Sequence, residues 1–275
     1  MSIFGSLIYV EGSDGAGKTT LINKLMKLYS GTRRIKSYSL PNQDCKYYQE
    51  IRSLLKSPIK KSDVLQTYMI MNMNELYHKL EKDLVEGIDV IVDRSWISTL
   101  VYNTVEKGTL VKKIAQKYEE DKTSIDFHYD MEDISINYLM TYVFPGPYPN
   151  ACIFLDPPPT ILEKNSEERI KEGTAEENDS NLEKIMNIWR CYHNFFSDLE
   201  EINRASFSIS EFRHINDNQF SQPRFVNDIN MQIMYIDGFR RFRGYTKDDP
   251  ALNEYYQYAY NESVYSLDKL FKYLK

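Results

Sequence analysis

The sequence predicts an α/β fold, a five-stranded parallel sheet covered by helices on both faces. Three observations lead there. Five short apolar runs, at 7–11, 35–40, 89–93, 151–156 and 232–237, are brief and rich in β-branched or aromatic residues, as buried strands are. Segments of helical length separate them, so strand alternates with helix. A glycine-rich stretch joins the first run to the first of those helices, and three of the five runs end in aspartate. In an open parallel sheet ligands gather beyond the carboxyl ends of the strands, where those aspartates fall.

The helices are expected at 18–29, 46–57, 63–86, 96–120 and 181–202, with a closing helix near 262–274. Two segments read as additions to the compact core. One spans 121–150 and ends in the turn-rich FPGPYPN; the other, 203–230, is polar and weakly periodic. The 275 residues, 42% hydrophobic and 27% charged, suffice for one large domain spanning the whole chain.

Charge narrows the function classes. A net charge of -6 and a pI near 5.4 oppose any coating of nucleic acid, which depends on many lysines and arginines meeting phosphates. Any phosphate site is therefore local. Cys45, Cys152 and Cys191 are odd in number and lack CxxC spacing, so neither a disulfide framework nor a zinc cluster is expected, and a reducing compartment fits. No basic leader opens the chain and no window reaches the roughly 18 apolar residues of a membrane span. The chain reads as cytoplasmic, without membrane attachment.

The strongest chemical signal is Gly12-Ser13-Asp14-Gly15-Ala16-Gly17-Lys18-Thr19, after an apolar strand and at the start of an amphipathic helix. Glycines let backbone N–H groups turn inward around an anion, and the helix N-terminus adds partial positive charge. This is the P-loop pattern, and it places the chain in the P-loop NTPase fold. Lys18 is expected on the β and γ phosphates of ATP and Thr19 on the Mg²⁺ that bridges them, with the run from Gly12 to Thr20 binding ATP. A plain glycine-rich turn would leave Lys18 unexplained.

With its flanks, Glu11 to Thr20 resembles the P-loop of the thymidylate kinase family, in which an acidic residue sits inside the loop. Asp93-Arg94-Ser95-Trp96-Ile97-Ser98-Thr99-Leu100-Val101-Tyr102 resembles that family's Asp-Arg block at the end of the third strand. Phe154-Leu155-Asp156-Pro157 and the charged stretch 163–173 resemble its fourth strand and lid. The blocks come in the family's order, over roughly residues 5–195.

The resemblance implies an ATP- and Mg-dependent nucleoside monophosphate kinase with a mobile lid at about 163–180, acting on a pyrimidine deoxynucleotide. It implies that Asp14 meets the acceptor's 3′-hydroxyl, Arg94 its phosphate, and Tyr102 the deoxyribose. Ser98 and Thr99 then fall against the pyrimidine, with Pro41 and Met73 also at the acceptor. Asp93 orients magnesium or its water shell, a task suited to a strand-end carboxylate. Bland readings stand beside these: Asp93-Arg94 as a structural ion pair, Tyr102 as helix core. A homodimer is also implied by the resemblance.

Phosphoryl transfer spreads charge over the equatorial oxygens, which favours a cation arriving from a mobile element. The family draws that arginine from the P-loop or the lid; here the P-loop position is Gly15, which leaves Arg169 first and Lys171 second. The surrounding glutamates, Glu163, Glu167, Glu168 and Glu172, equally fit a solvated helix face. Two departures bear on specificity. Gln43 stands near the place of the family's arginine after the second strand, and Met73 replaces the arginine that reads the base edge. Asn72 or Asn74 could donate there instead, a methionine wall could accept a modified pyrimidine, or the residues simply pack a helix. A deoxynucleoside kinase and a nucleotide-binding regulator are the alternatives. The first calls for a base after the second strand, where Leu40-Pro41-Asn42 offers none; the second sits poorly with intact Lys18, Thr19, Asp93 and Arg94. The basic aromatic cluster Phe239-Arg240-Arg241-Phe242-Arg243 and the C-terminal stretch 203–275 are left without a family role.

Overall fold

The computed structural model describes residues 4–57, 62–117, 147, 149–173, 181–206, 232–246 and 249–273. The elements run β1 (Leu7–Glu11), α1 (Lys18–Tyr29), β2 (Ile35–Ser39), α2 (Tyr48–Leu55), α3 (Ser62–Val85), β3 (Asp89–Asp93) and α4 (Trp96–Lys117). There follow β4 (Ala151–Asp156), α5 (Pro159–Lys171), α6 (Leu182–Ser206), β5 (Gln232–Asp237), the short α7 (Gly238–Arg241), a 3₁₀ turn at Pro250–Asn253 and α8 (Glu254–Tyr273).

All five strands pair in parallel, in the order β2-β3-β1-β4-β5. The expected fold class is borne out. β1 and β4 are buried along their whole length, so their side chains serve two cores. Leu7, Tyr9, Val90, Val92, Cys152 and Phe154 face α3, α4 and α6 on one side. Ile8, Val10, Ile91, Ile153 and Leu155, the residues between them, face α1 and α8 on the other. That alternation is the two-residue period of a strand, and burial on both faces explains why the runs read as continuously apolar. The edge strand β2 is half exposed and correspondingly less apolar.

Helix ends differ from expectation in two places. α5 is absent from the expected helices, although the charged run within it fits a solvated helix face; it opens on Pro159, and proline is tolerated at the first helical position, where its missing N–H has no partner to lose. α8 begins at Glu254 rather than 262, since Leu252, Tyr255, Ala259, Leu267, Leu270 and Phe271 form one apolar face against the sheet. Most of the stretches 121–150 and 203–230, and residues 174–180 of the expected lid, lie outside the described residues. No described helix is long and apolar enough to cross a membrane. Cys45, Cys152 and Cys191 are free and buried.

Candidate functional site

Strand order reverses direction around β1, and the loops after β1 and β3 meet there. Gly17 caps α1 in the left-handed conformation, with φ of 90° and ψ of 15°. A Cβ at Gly17 would lie 2.8 Å from Cε1 of Tyr256, so glycine answers both backbone and space. Lys18 folds its Nζ back over the loop, donating to the Gly12 and Ser13 carbonyls at 2.9 and 2.7 Å. Burial, reinforced by Arg94, lowers its pKa to about 8.

The Thr19 hydroxyl donates to Asp93 Oδ2 at 3.0 Å. The other carboxylate oxygen, Oδ1, is buried and without a hydrogen-bond partner. A hydroxyl beside an unsatisfied carboxylate oxygen suits a hard cation that keeps most of its ligands as water and phosphate. The residues therefore fit magnesium. Among the described residues no group of three His, Cys, Asp or Glu side chains could hold a metal without such help.

Arg94 forms the centre of the floor. Its φ of 73° puts a non-glycine residue in the left-handed region, a strained state that surrounding contacts must enforce. The guanidinium makes a close ion pair with Asp14. It also reaches Tyr102 Oη at 3.2 Å, with Gly12 O, Ser98 Oγ and Tyr192 Oη at 3.3 Å. Tyr102 donates to Asp14 Oδ2 at 2.6 Å. Burial alone would raise the Asp14 pKa, but Arg94, Lys18, Tyr102 and Arg169 outweigh it and hold it at about 2. Asp14 is thus a fixed carboxylate that accepts hydrogen bonds, unsuited to carry a proton near neutrality.

Beneath Arg94 lies Glu11, wholly buried. It accepts from the Ser95 backbone N–H and hydroxyl, each at 2.6 Å, from Ser98 Oγ at 2.7 Å and from Tyr192 Oη at 3.0 Å. Burial pushes its pKa up, against the pull of those donors. Sequence reasoning gave Glu11 no role of its own, although a carboxylate closing an apolar strand was a visible signal. Nothing distinguished Tyr192 among 22 tyrosines.

The opposite wall comes from α5 and α8. A cleft of about 570 Å³ is lined by Asp14, Gly15, Lys18, Thr19, Thr20, Asp93 and Arg94 on the loop side, and by Asn165, Glu168, Arg169, Glu172 and Tyr256 on the other. A Cβ built on Gly15 would stand 2.9 Å from Arg169 Nη2, so the guanidinium lies directly over the loop. Lys171 is exposed and does not line this cleft. Neither Asn165 nor Tyr256 was expected here.

The other residues expected at the acceptor do not line this cleft. Met73 is packed in the core, 1% exposed, with Leu40, Ile70, Leu76 and Tyr77 in the same cluster. Asn72 is also fully buried: its Oδ1 accepts from Asn42 N at 2.7 Å and its Nδ2 donates to Asn42 O at 3.0 Å, bracing the backbone just after the cis Leu40–Pro41 bond. A methionine on the inward face of α3 is core before it is a base reader. Ser98 and Thr99 are buried and absent from the cleft lining, Ser98 serving Glu11 instead; Pro41 is likewise not part of that lining. In the basic cluster, Arg240 pairs with Asp237 at 3.5 Å and Arg241 stacks on Tyr258 at 4.4 Å. His193 Nδ1 lies 2.9 Å from the buried Asp156, which raises its pKa.

Comparison with known proteins agrees with this geometry. Residues 10–125 match the sequence model of the thymidylate kinase family. A thymidylate kinase from Danio rerio is 30% identical over 106 residues, 38% of this chain and 50% of that protein, so the chain spans about half the length of this curated relative. A thymidylate kinase from Candida albicans, whose structure was described for its broad substrate specificity, superimposes with a TM-score of 0.55 at 17% identity, covering 97% of this chain and 93% of that one. At that identity the likeness establishes the fold. The family resemblance read from the sequence is borne out, and the low identities mark the chain as divergent.

Proposed function

We propose that this chain, a divergent relative of the thymidylate kinases, transfers the γ-phosphoryl group of ATP to a pyrimidine deoxynucleoside monophosphate, dTMP or a modified counterpart. The observation that carries the reading is the convergence on one cleft of Lys18, the Thr19–Asp93 pair, the Asp14–Arg94 pair and Arg169, with Tyr102 bonded to Asp14 behind that lining. Two anionic substrates need cations on both sides of the transferring group.

The loop N–H groups and Lys18 would take the donor phosphates, Nζ exchanging two neutral carbonyls for charged oxygens. Thr19 and Asp93 would hold Mg²⁺, which offsets charge on the donor phosphates when bound. Arg94 faces the acceptor phosphate, and Asp14 offers an accepting carboxylate to a sugar hydroxyl. Tyr102, hydrogen-bonded to both and with its ring under the Arg94 guanidinium, would crowd a 2′-hydroxyl. Arg169, over Gly15, meets the charge that develops on the equatorial oxygens. A monophosphate acceptor is already ionised, so positioning and electrostatics supply the acceleration and no general base is required. That matches Asp14, held ionised at about 2 and unable to shuttle a proton.

The test is ADP release from Mg-ATP with purified protein and a panel of deoxynucleoside monophosphates and nucleosides. A pyrimidine monophosphate is expected to stimulate release most strongly. Release with nucleosides alone would support the deoxynucleoside kinase reading, and binding of ATP without release in any mixture would support a regulator.

A further inference from the structure

We infer that Asn165 and Tyr256 form a latch that holds α5 against the P-loop and so sets the position of Arg169; they are positioning residues. The inference deepens the proposed function and rests on its reading of Arg169.

Asn165 Nδ2 donates to the Gly15 carbonyl at 2.6 Å. The same amide meets the Tyr256 hydroxyl, which lies 2.6 Å from Nδ2 and 2.9 Å from Oδ1. Three distant stretches, the loop after β1, α5 and the start of α8, are thereby joined at one amide group. Neighbouring contacts follow the same seam: Tyr255 Oη donates to Ala16 O at 3.3 Å and Lys164 Nζ to Asn253 Oδ1 at 3.1 Å.

The loop is bare where α5 approaches. Gly15 has φ of 81°, and a Cβ there would touch Asn165 Cβ at 3.6 Å and Leu162 Cδ2 at 3.7 Å, ordinary contacts, but would stand 2.9 Å from Arg169 Nη2, so the bare position is where the guanidinium lies. Tyr256 presses its ring on Gly17 in the same way. Residues four apart on a helix share a face, so a pin at 165 delivers 169 over the loop one turn on. A helix carrying an unanchored arginine would place its charge with less precision, and an ångström of misplacement at a phosphoryl group is expensive in rate. The latch also gives the C-terminal segment a part in the site that the family resemblance leaves blank.

The test uses the full chain with Asn165→Ala and Tyr256→Phe, alone and combined with Arg169→Ala. Tyr256→Phe keeps the ring on Gly17, so folding is preserved even if Asn165→Ala proves unstable. In the ligand-free protein, backbone hydrogen exchange across 159–171 should quicken about tenfold in each single variant, the opening expected from one lost hydrogen bond. Under turnover, kcat should fall about tenfold with both KM values within twofold, and neither change should reduce kcat further once Arg169 is alanine. Unaltered exchange would overturn the latch. An equal further loss in the Arg169→Ala background would overturn its positioning role. Full activity of Arg169→Ala alone would instead refute the role given to Arg169, while exchange still reported on the latch.

Discussion

The floor and the roof of the cleft are built differently. The floor is a crowded, largely buried network in which Glu11, Asp14, Arg94, Ser98, Tyr102 and Tyr192 satisfy one another. The roof is a helix with exposed Glu168 and Glu172, whose Asn165 amide donates to the Gly15 carbonyl. Floor residues hold charge in place by mutual hydrogen bonds and ion pairs; the roof brings its charge, Arg169, from a separate helix. The proposed function, which admits two anions and then excludes water, calls for that asymmetry.

The sharpest way to break the comparison is to remove floor charge. Lys18→Ala should lower kcat/KM by about 10³-fold, the scale of losing a transition-state donor, while the free energy of unfolding moves by about 1 kcal/mol or less. Steady-state kinetics beside urea unfolding reads both numbers. A comparable loss of stability and activity would make Lys18 structural.

Glu11→Ala probes the floor from beneath. Four donors lose their acceptor in a dry site, so stability should drop by about 3 kcal/mol, seen as a lower urea midpoint. Arg94 loses the brace at Ser95 that keeps its left-handed backbone, and activity should fall with it. Retained activity at the lowered stability would show that the strain at Arg94 is held by other contacts.

A titration of nucleotide affinity sharpens the contrast with less effect. Lys18 deprotonates at about 8 in the free protein because burial disfavours its charge. Bound phosphates favour that charge and raise the pKa, so binding takes up a proton once the pH exceeds 8. Affinity for ATP should therefore weaken as pH rises from 8, approaching about tenfold per pH unit. Calorimetry in buffers of different ionisation heat would detect the proton uptake, and a flat profile from pH 7 to 9.5 would contradict it.

Apart from Glu11 and Tyr192, the floor was legible in the sequence because its residues belong to contiguous motifs whose backbone geometry is narrow. Gly12 to Thr19 can cradle an anion in only a few ways, and Asp93-Arg94 falls at a strand end that the apolar run 89–93 located by itself. The roof was less legible. α5 is absent from the expected helices, and Tyr256 came from a segment more than 80 residues further along, so no local pattern linked it to Gly15. Arg169 was reached by the chemistry of the reaction, from the bare position at Gly15. Met73 is expected at the acceptor from its position relative to a family motif, whereas helical periodicity puts it on the core face of its helix. Its neighbours Ile70, Leu76, Tyr77 and Leu80 trace the buried face of α3, and Met73 lies on it.

That correction yields the smallest expected effect. Met73→Leu should lower stability by less than about 1.5 kcal/mol, as volume-conserving core exchanges do, and should leave the order of preference among pyrimidine monophosphates unchanged. A changed order in the ADP-release panel would return Met73 to the acceptor site.

If the floor is built for an acceptor that already bears a phosphate, the product formed from dTMP and Mg-ATP, identified by mass for the unaltered protein and for Arg94→Ala, should be a nucleoside diphosphate from the first, with almost none from the second. A diphosphate formed equally well without Arg94, or a monophosphate formed from thymidine and no diphosphate from dTMP, would contradict it.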